Sequence, residues 1–153
     1  MLGGYHLTIE ELLALRTNKT IVFTNGVFDI LHAGHVEYLS KARDLGDYLI
    51  VALNTDKSVS RLKGPTRPVN NLGDRMVVIA ALRCVDCVVS FGEDTPERTI
   101  SEIKPDIHVK GGDYTVESLP ESKIVHAYGG KVVILPLLDG RSSTRIIDRM
   151  NQE

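Results

Sequence analysis

What the chain lacks narrows its possible functions first. Only two cysteines occur, Cys84 and Cys87, and no second pair exists to complete a four-ligand zinc site. Their C-x-x-C spacing is read as structural, with Cys84 near a helix end and Cys87 in the strand that follows. No apolar run approaches the roughly 20 residues of a membrane-spanning helix. The N-terminus also lacks the basic-then-apolar order of a secretion signal, so the expected compartment is the cytoplasm. Charge is nearly balanced, 18 Lys+Arg against 20 Asp+Glu, and no basic run or aromatic-basic ladder appears. Neither a nucleic-acid partner nor a membrane is therefore expected. Also missing are the G-x-G-x-x-G fingerprint and the phosphate loop ending in Gly-Lys-Ser/Thr, which counts against a hydride-transfer enzyme or an ordinary kinase. There is no internal repeat, low-complexity tract or linker. The 153 residues suit one domain, 1–153, with 1–18 as a helical N-terminal extension.

What is present is an alternation of short apolar runs with helix patterns. Thr20–Phe23, Tyr48–Leu53, Asp86–Phe91, Ile107–Val109 and Lys131–Leu135 read as strands. The helices between them predict an α/β fold, a doubly wound five-stranded parallel sheet with right-handed crossovers. Thr8-Ile9-Glu10-Glu11 is a capping box that opens the first helix. Asn71 caps a helix running through Leu82 that is apolar on most faces. Burial against the sheet or between subunits is its expected fate.

One stretch organises the rest: Thr24-Asn25-Gly26-Val27-Phe28-Asp29-Ile30-Leu31-His32-Ala33-Gly34-His35. It lies between the first strand and a helix carrying Tyr38, Leu39 and Ala42, where α/β proteins place ligands. Asn25-Gly26 is expected to reverse the chain, since both tolerate a left-handed backbone. The N–H groups of Val27 and Phe28 can then point at an anion, and Gly34 allows close approach. His32 and His35, three apart, share a helix face and can donate to charge that builds up during phosphoryl transfer.

Three further segments fall on the same sheet edge. Ser60 to Asn71, with Arg61, Lys63 and Arg67, reads as a mobile flap over an anionic ligand. Lys110 and Asp113, beside Gly111 and Gly112, can read charge and hydroxyls, while His108 is structural. Ser142-Ser143-Thr144 opens the last helix after Asp139-Gly140-Arg141 and offers a second phosphate site.

Phe28–His35, Arg61–Gly64, Arg67–Asn70, Val109–Tyr114 and Asp139–Thr144 together resemble the HxGH nucleotidyltransferase superfamily, in its cytidylyltransferase-like branch. Within it the chain is similar to the adenylyltransferases of ADP-heptose synthesis, which act on D-glycero-β-D-manno-heptose 1-phosphate. The resemblance implies a Rossmann-like fold, a homodimer, and in-line attack of a sugar phosphate on the α-phosphorus of ATP, with Mg²⁺ bridging the phosphates. It implies catalytic roles for His32, His35 and Lys63. Val27, Phe28, Gly34, Gly140, Arg141, Ser142, Ser143 and Thr144 would hold the nucleotide. Asp29, Arg67, Lys110 and Asp113 would meet the acceptor, and no protein side chain is assigned to the metal. Some relatives carry an arginine three residues after the threonine, where this chain has Ile147; Arg141 or Arg145 could reach phosphate instead. A glycerol-3-phosphate cytidylyltransferase, an FMN adenylyltransferase and a non-catalytic nucleotide-sensing module are the alternatives.

Overall fold

The computed structural model describes residues 7–137 and 142–152. The elements run α1 (Ile9–Ala14), β1 (Ile21–Gly26), α2 (Ala33–Arg43), β2 (Tyr48–Asn54), α3 (Asp56–Lys63), α4 (Leu72–Ala80), β3 (Cys87–Phe91), α5 (Glu97–Ile103), β4 (Ile107–Gly111), α6 (Ser122–Ala127), β5 (Lys131–Leu135) and α7 (Ser143–Met150). All five strands are parallel, in the order β3-β2-β1-β4-β5. This is the doubly wound sheet that the alternating runs predict.

Successive strand residues point to opposite faces, so a continuously apolar strand feeds two cores. Val22, Leu49, Val51, Leu53 and Val109 pack with Leu39 and Ile79 on one face. Ile21, Phe23, Ile50 and Ala52 pack with Leu12, Ile100 and Val125 on the other. Leu12 is fully buried, and Arg16 donates to the carbonyls of Ile103 (3.0 Å) and Lys104 (2.8 Å). The N-terminal helix thus packs on its own domain.

The strand order reverses between β1 and β4, and there the ladder is short. Val22 pairs with Ile107 and Phe23 with His108, after which the strands part. Side chains take over: Thr24 Oγ1 and Tyr38 OH lie 2.7 Å apart, and both are within hydrogen-bond distance of Val109 O (2.9 and 3.2 Å). A crevice at a reversal of strand order is the usual ligand position in such sheets.

Three local expectations change. Asn25-Gly26 does not reverse the chain, because both residues continue β1 in register with Ala52 and Leu53. The left-handed residue is Phe28 (φ 47°). Ser60–Lys63 is the last part of α3, so the expected twelve-residue flap shrinks to the segment after Lys63. Finally, within the chain the sheet covers less of α4 than its apolar run suggests: Arg75, Ile79 and Ala80 are enclosed, but Val77 and Val78 face outward.

Candidate functional site

The start of α2 is built by its own histidines. His32 is the N-cap, and its Nδ1 accepts from Gly34 N at 3.1 Å. His35 reaches back, its Nδ1 accepting from His32 N at 3.3 Å, and the two rings stack 3.9 Å apart. This is a capping box made of imidazoles. A neutral ring that accepts at Nδ1 carries its proton at Nε2, so both histidines are Nε2–H donors. Burial pushes the His35 pKa down to about 4, and the Lys63 ammonium, together with His32 whenever that ring is protonated, adds to the effect. His35 is therefore neutral at physiological pH.

A cleft of about 210 Å³ opens on these donors, lined by His32, Gly34, His35, Tyr38, Lys63, Leu137, Ser142, Ser143 and Thr144. Two helix N-termini converge there. Ser142 caps α7 by accepting from Arg145 N (3.1 Å), and Ser143 Oγ donates to Ile30 O at 2.6 Å, tying α7 to the signature turn. Both ends bring the positive potential of a helix start to one place. Gly140 and Arg141 lie outside the described residues.

Val27 and Phe28 form the turn itself. A left-handed conformation in a phenylalanine costs about 1–3 kcal/mol and survives only when its surroundings enforce it. Here the Phe28 ring is buried and meets His35 edge-on at 5.4 Å. A Cβ on Gly26 would come within 2.8 Å of that ring, so Gly26 serves the packing of Phe28. No acceptor among the described residues meets the Phe28 N–H.

Asp29 has partners other than the expected sugar hydroxyls. Its buried carboxylate accepts from Arg67 Nε (2.9 Å), Val69 N (2.8 Å) and Asn70 N (2.9 Å). Burial alone would raise its pKa, but the N–H groups of Asn70 and Val69 and the Arg67 guanidinium outweigh it and hold the carboxyl below its ordinary value. The segment after α3 is thus anchored to Asp29 through residues 67–70. Arg67 keeps Nη2 buried with no partner among the described residues. Such orphaned buried donors are rare in folded proteins. Lys63 reaches the cleft from the end of α3. Its pKa is lowered by burial and by Arg67, with Asp29 acting the other way.

Val27, Phe28, Asp29, Arg67, Lys110 and Asp113 do not line this cleft. Lys110 Nζ sits 4.0 Å from Glu121 Oε1 and 5.6 Å from the Tyr114 ring centroid, and Asp113 is exposed. A Cβ on Gly111 would strike Leu137 and Tyr38, so the protein's own side chains occupy that space. His108 is structural, fully buried against Glu121 at 3.1 Å.

Sequence reasoning missed Tyr38, which lines the cleft and braces Val109, and Arg149. A neighbouring cavity of about 470 Å³ is lined by His32, Ser142, Arg145 and Arg149, among others. The four-residue spacing of those arginines was the available signal. Arg75 was missed as well: Arg75 and Arg83 flank the run Met76–Leu82 alike, and no local signal separates the buried one from the other.

Comparison with known proteins gives a consistent kinship. A family model described as cytidylyltransferase-like matches residues 23–149. The bifunctional protein HldE of Pseudomonas fluorescens (strain SBW25) is 56% identical over 149 residues, covering 94% of this chain and 31% of that protein. HldE of Escherichia coli O139:H28 is 54% identical, covering 98% of this chain and 33% of its own length. The chain therefore spans about a third of these relatives. A solved lipopolysaccharide core biosynthesis protein from Thermoplasma volcanium GSS1 matches with TM-score 0.63 at 32% identity, over 78% of this chain and 97% of that one. A pantoate-beta-alanine ligase from Francisella tularensis shares the fold alone, with TM-score 0.61 at 16% identity over 97% of this chain and 78% of that one. With the signature turn, the paired imidazoles and the converging helix starts in place, the chain belongs to the cytidylyltransferase-like family of nucleotidyltransferases.

Proposed function

We propose that the chain transfers AMP from ATP to D-glycero-β-D-manno-heptose 1-phosphate, giving ADP-heptose and pyrophosphate for lipopolysaccharide core or a related heptose glycan. The observation that carries this reading is the convergence of two helix N-termini and two Nε2–H donors on one cleft. An oxygen of the sugar phosphate attacks the α-phosphorus of ATP; that bond forms as the bond from the α-phosphorus to the bridging oxygen breaks, and the electron pair leaves with pyrophosphate. The nucleophile is already an anion, so alignment and charge neutralisation are the protein's main tasks.

His32 and His35 donate through Nε2 to the phosphate oxygens, where charge shifts toward the leaving group. The Phe28 N–H holds the α-phosphate. Ser142, Ser143 and Thr144 hold the β- and γ-phosphates at the start of α7, with Arg145 and Arg149 alongside. Lys63 neutralises charge from the end of α3, and the unpaired Nη2 of Arg67 takes the acceptor. Among the described residues, the cleft lining offers hydroxyls, imidazoles and the Lys63 ammonium but no carboxylate. Mg²⁺ would therefore arrive on the nucleotide, coordinated mainly by phosphate oxygens and water, and would supply charge neutralisation there.

Identity over nearly the whole chain to HldE, and likeness to a protein titled for lipopolysaccharide core biosynthesis, support the heptose acceptor. Pyrophosphate release from ATP and CTP, each with heptose 1-phosphate, glycerol 3-phosphate or FMN, tests the reading. Release only from ATP with the heptose is expected. Turnover with another pair would reassign the acceptor, and nucleotide binding without turnover would make the chain a sensing module. We also propose a homodimer through the outward face of α4, where Val77 and Val78 are exposed. A monomer in sedimentation at micromolar concentration would refute that.

A further inference from the structure

Arg75 takes no part in the steps above, yet it is the largest fully buried side chain among the described residues. Its Nε donates to Asn70 O (3.0 Å) and its Nη1 to Val27 O (2.8 Å). Its Nη2 donates to both Asn54 O and Asp56 Oδ1, each at 2.8 Å. A buried charge persists only when paired and hydrogen-bonded, and these acceptors meet that condition.

The acceptors come from four separate places. Val27 belongs to the signature turn, Asn54 ends β2, Asp56 begins α3, and Asn70 lies in the segment held by Asp29. One planar guanidinium therefore joins the phosphate turn to the two segments that deliver Lys63 and Arg67. An ammonium is a point charge on a stem and cannot span the same four acceptors. A methionine would leave three carbonyls without their donor.

The bond to Val27 O fixes the orientation of the peptide that follows it. In a trans peptide the carbonyl and the following N–H point in opposite directions. Fixing Val27 O toward Arg75 turns the Phe28 N–H away from it, and that N–H meets no acceptor among the described residues. The same bond helps to hold Phe28 in its left-handed conformation. We infer that Arg75 is a positioning residue for nucleotidyl transfer: from behind the signature turn it aims the Phe28 N–H at the α-phosphate and sets the Asp29–Arg67 segment in register with it. The inference rests on the transfer reading above.

The test compares the full chain with Arg75→Lys, Arg75→Met and Asp56→Asn. Asp56 is half-exposed, so its substitution loosens Arg75 while sparing the core. Circular dichroism checks folding, pyrophosphate release gives kcat and both KM values, and ¹⁵N–¹H spectra follow the Phe28 and Gly34 amides as ATP is added. Small misplacements of a reacting group can cost about a hundredfold in rate. Arg75→Lys should lower kcat by roughly that order, with the KM for ATP changed by less than about threefold. Its Phe28 amide should lose the ATP-induced shift while the Gly34 amide keeps it. Asp56→Asn should show the same pattern at a few-fold loss.

A folded Arg75→Lys with wild-type turnover, or with lost turnover and an intact Phe28 response, overturns the inference. Should neither Arg75 variant fold, Asp56→Asn decides: unchanged turnover and an unchanged Phe28 response overturn it. If the wild-type chain transfers nothing to the sugar phosphate, the transfer reading fails separately. The Phe28 response to ATP is then still read as binding, and its persistence in Asp56→Asn overturns the placement of Arg75.

Discussion

The helix starts of α2 and α7 present the same device to the same cleft and are built in opposite ways. α2 buries Gly34, Tyr38, Leu39 and Ala42, so its N-terminus is positioned by the core of the domain. α7 buries no residue, and Met150 on its last turn is 70% exposed. Among the described residues, its tie to the signature turn is the Ser143–Ile30 hydrogen bond. Both can hold phosphate, but a helix with few buried contacts opens locally at far lower cost. Under the transfer reading, the rigid start faces the reacting α-phosphate, where small displacements matter most. The lightly packed start holds the β- and γ-phosphates, which must leave as pyrophosphate.

The largest effect is expected on the rigid side. His35→Ala removes a preorganised donor and should cut turnover about a hundredfold or more. Its loss from the capping box should cost only about 1 kcal/mol. Pyrophosphate release and thermal unfolding of the same preparation check both halves, and near-wild-type turnover would remove α2 from the chemistry.

Asp29→Asn comes next. The carboxylate holds three donors while 1% exposed, and hydrogen bonds to charged groups are worth roughly 1.5–3 kcal/mol each. The variant should lose about that much stability, measured by denaturant unfolding, and raise the KM of both substrates as the 67–70 segment loosens. An effect on the acceptor KM alone, at unchanged stability, would instead give Asp29 to the sugar.

On the α7 side, Ser143→Ala should scarcely change the global melting temperature. Amide exchange in α7 should quicken and the KM for ATP rise a few-fold, while exchange in α2 stays as it was. Equal loss of protection in both helices would erase the contrast between them.

The smallest effect is one of pH. His35 has a folded pKa lowered to about 4 from an ordinary 6.5, so between those values the unfolded chain takes up a proton that the folded chain refuses. Stability from this residue is complete above about pH 6.5 and declines as pH falls toward 4. The slope of melting temperature against pH in that window should be shallower in His35→Gln. An unchanged slope would mean that the ring is more open to water than its place behind His32 implies.

Much of this architecture was legible because it is encoded within a few residues. The runs Tyr48–Leu53 and Lys131–Leu135 became strands, and Thr8, Asn71 and Ser142 cap helices as their side chains predict. A cap or a helix face is decided by neighbours no more than four positions away. The placing of His32 and His35 at the start of a helix was readable for the same reason.

What the sequence alone determined, then, was the alternation of strands and helices and the chemistry gathered at their ends. Tertiary structure decided the partners. Asp29 meets Arg67, Val69 and Asn70 across 38 to 41 residues, and Arg75 reaches Val27 across 48. Those pairings follow from which strand ends the parallel sheet brings together, and no local pattern marks them. The left-handed backbone at Phe28 belongs with them. Intrinsic preference pointed to Asn25-Gly26, but pairing with β2 kept those two residues extended and passed the turn to a phenylalanine held by its ring and by Arg75. Packing across the sheet outweighed local preference at the one turn on which the site depends.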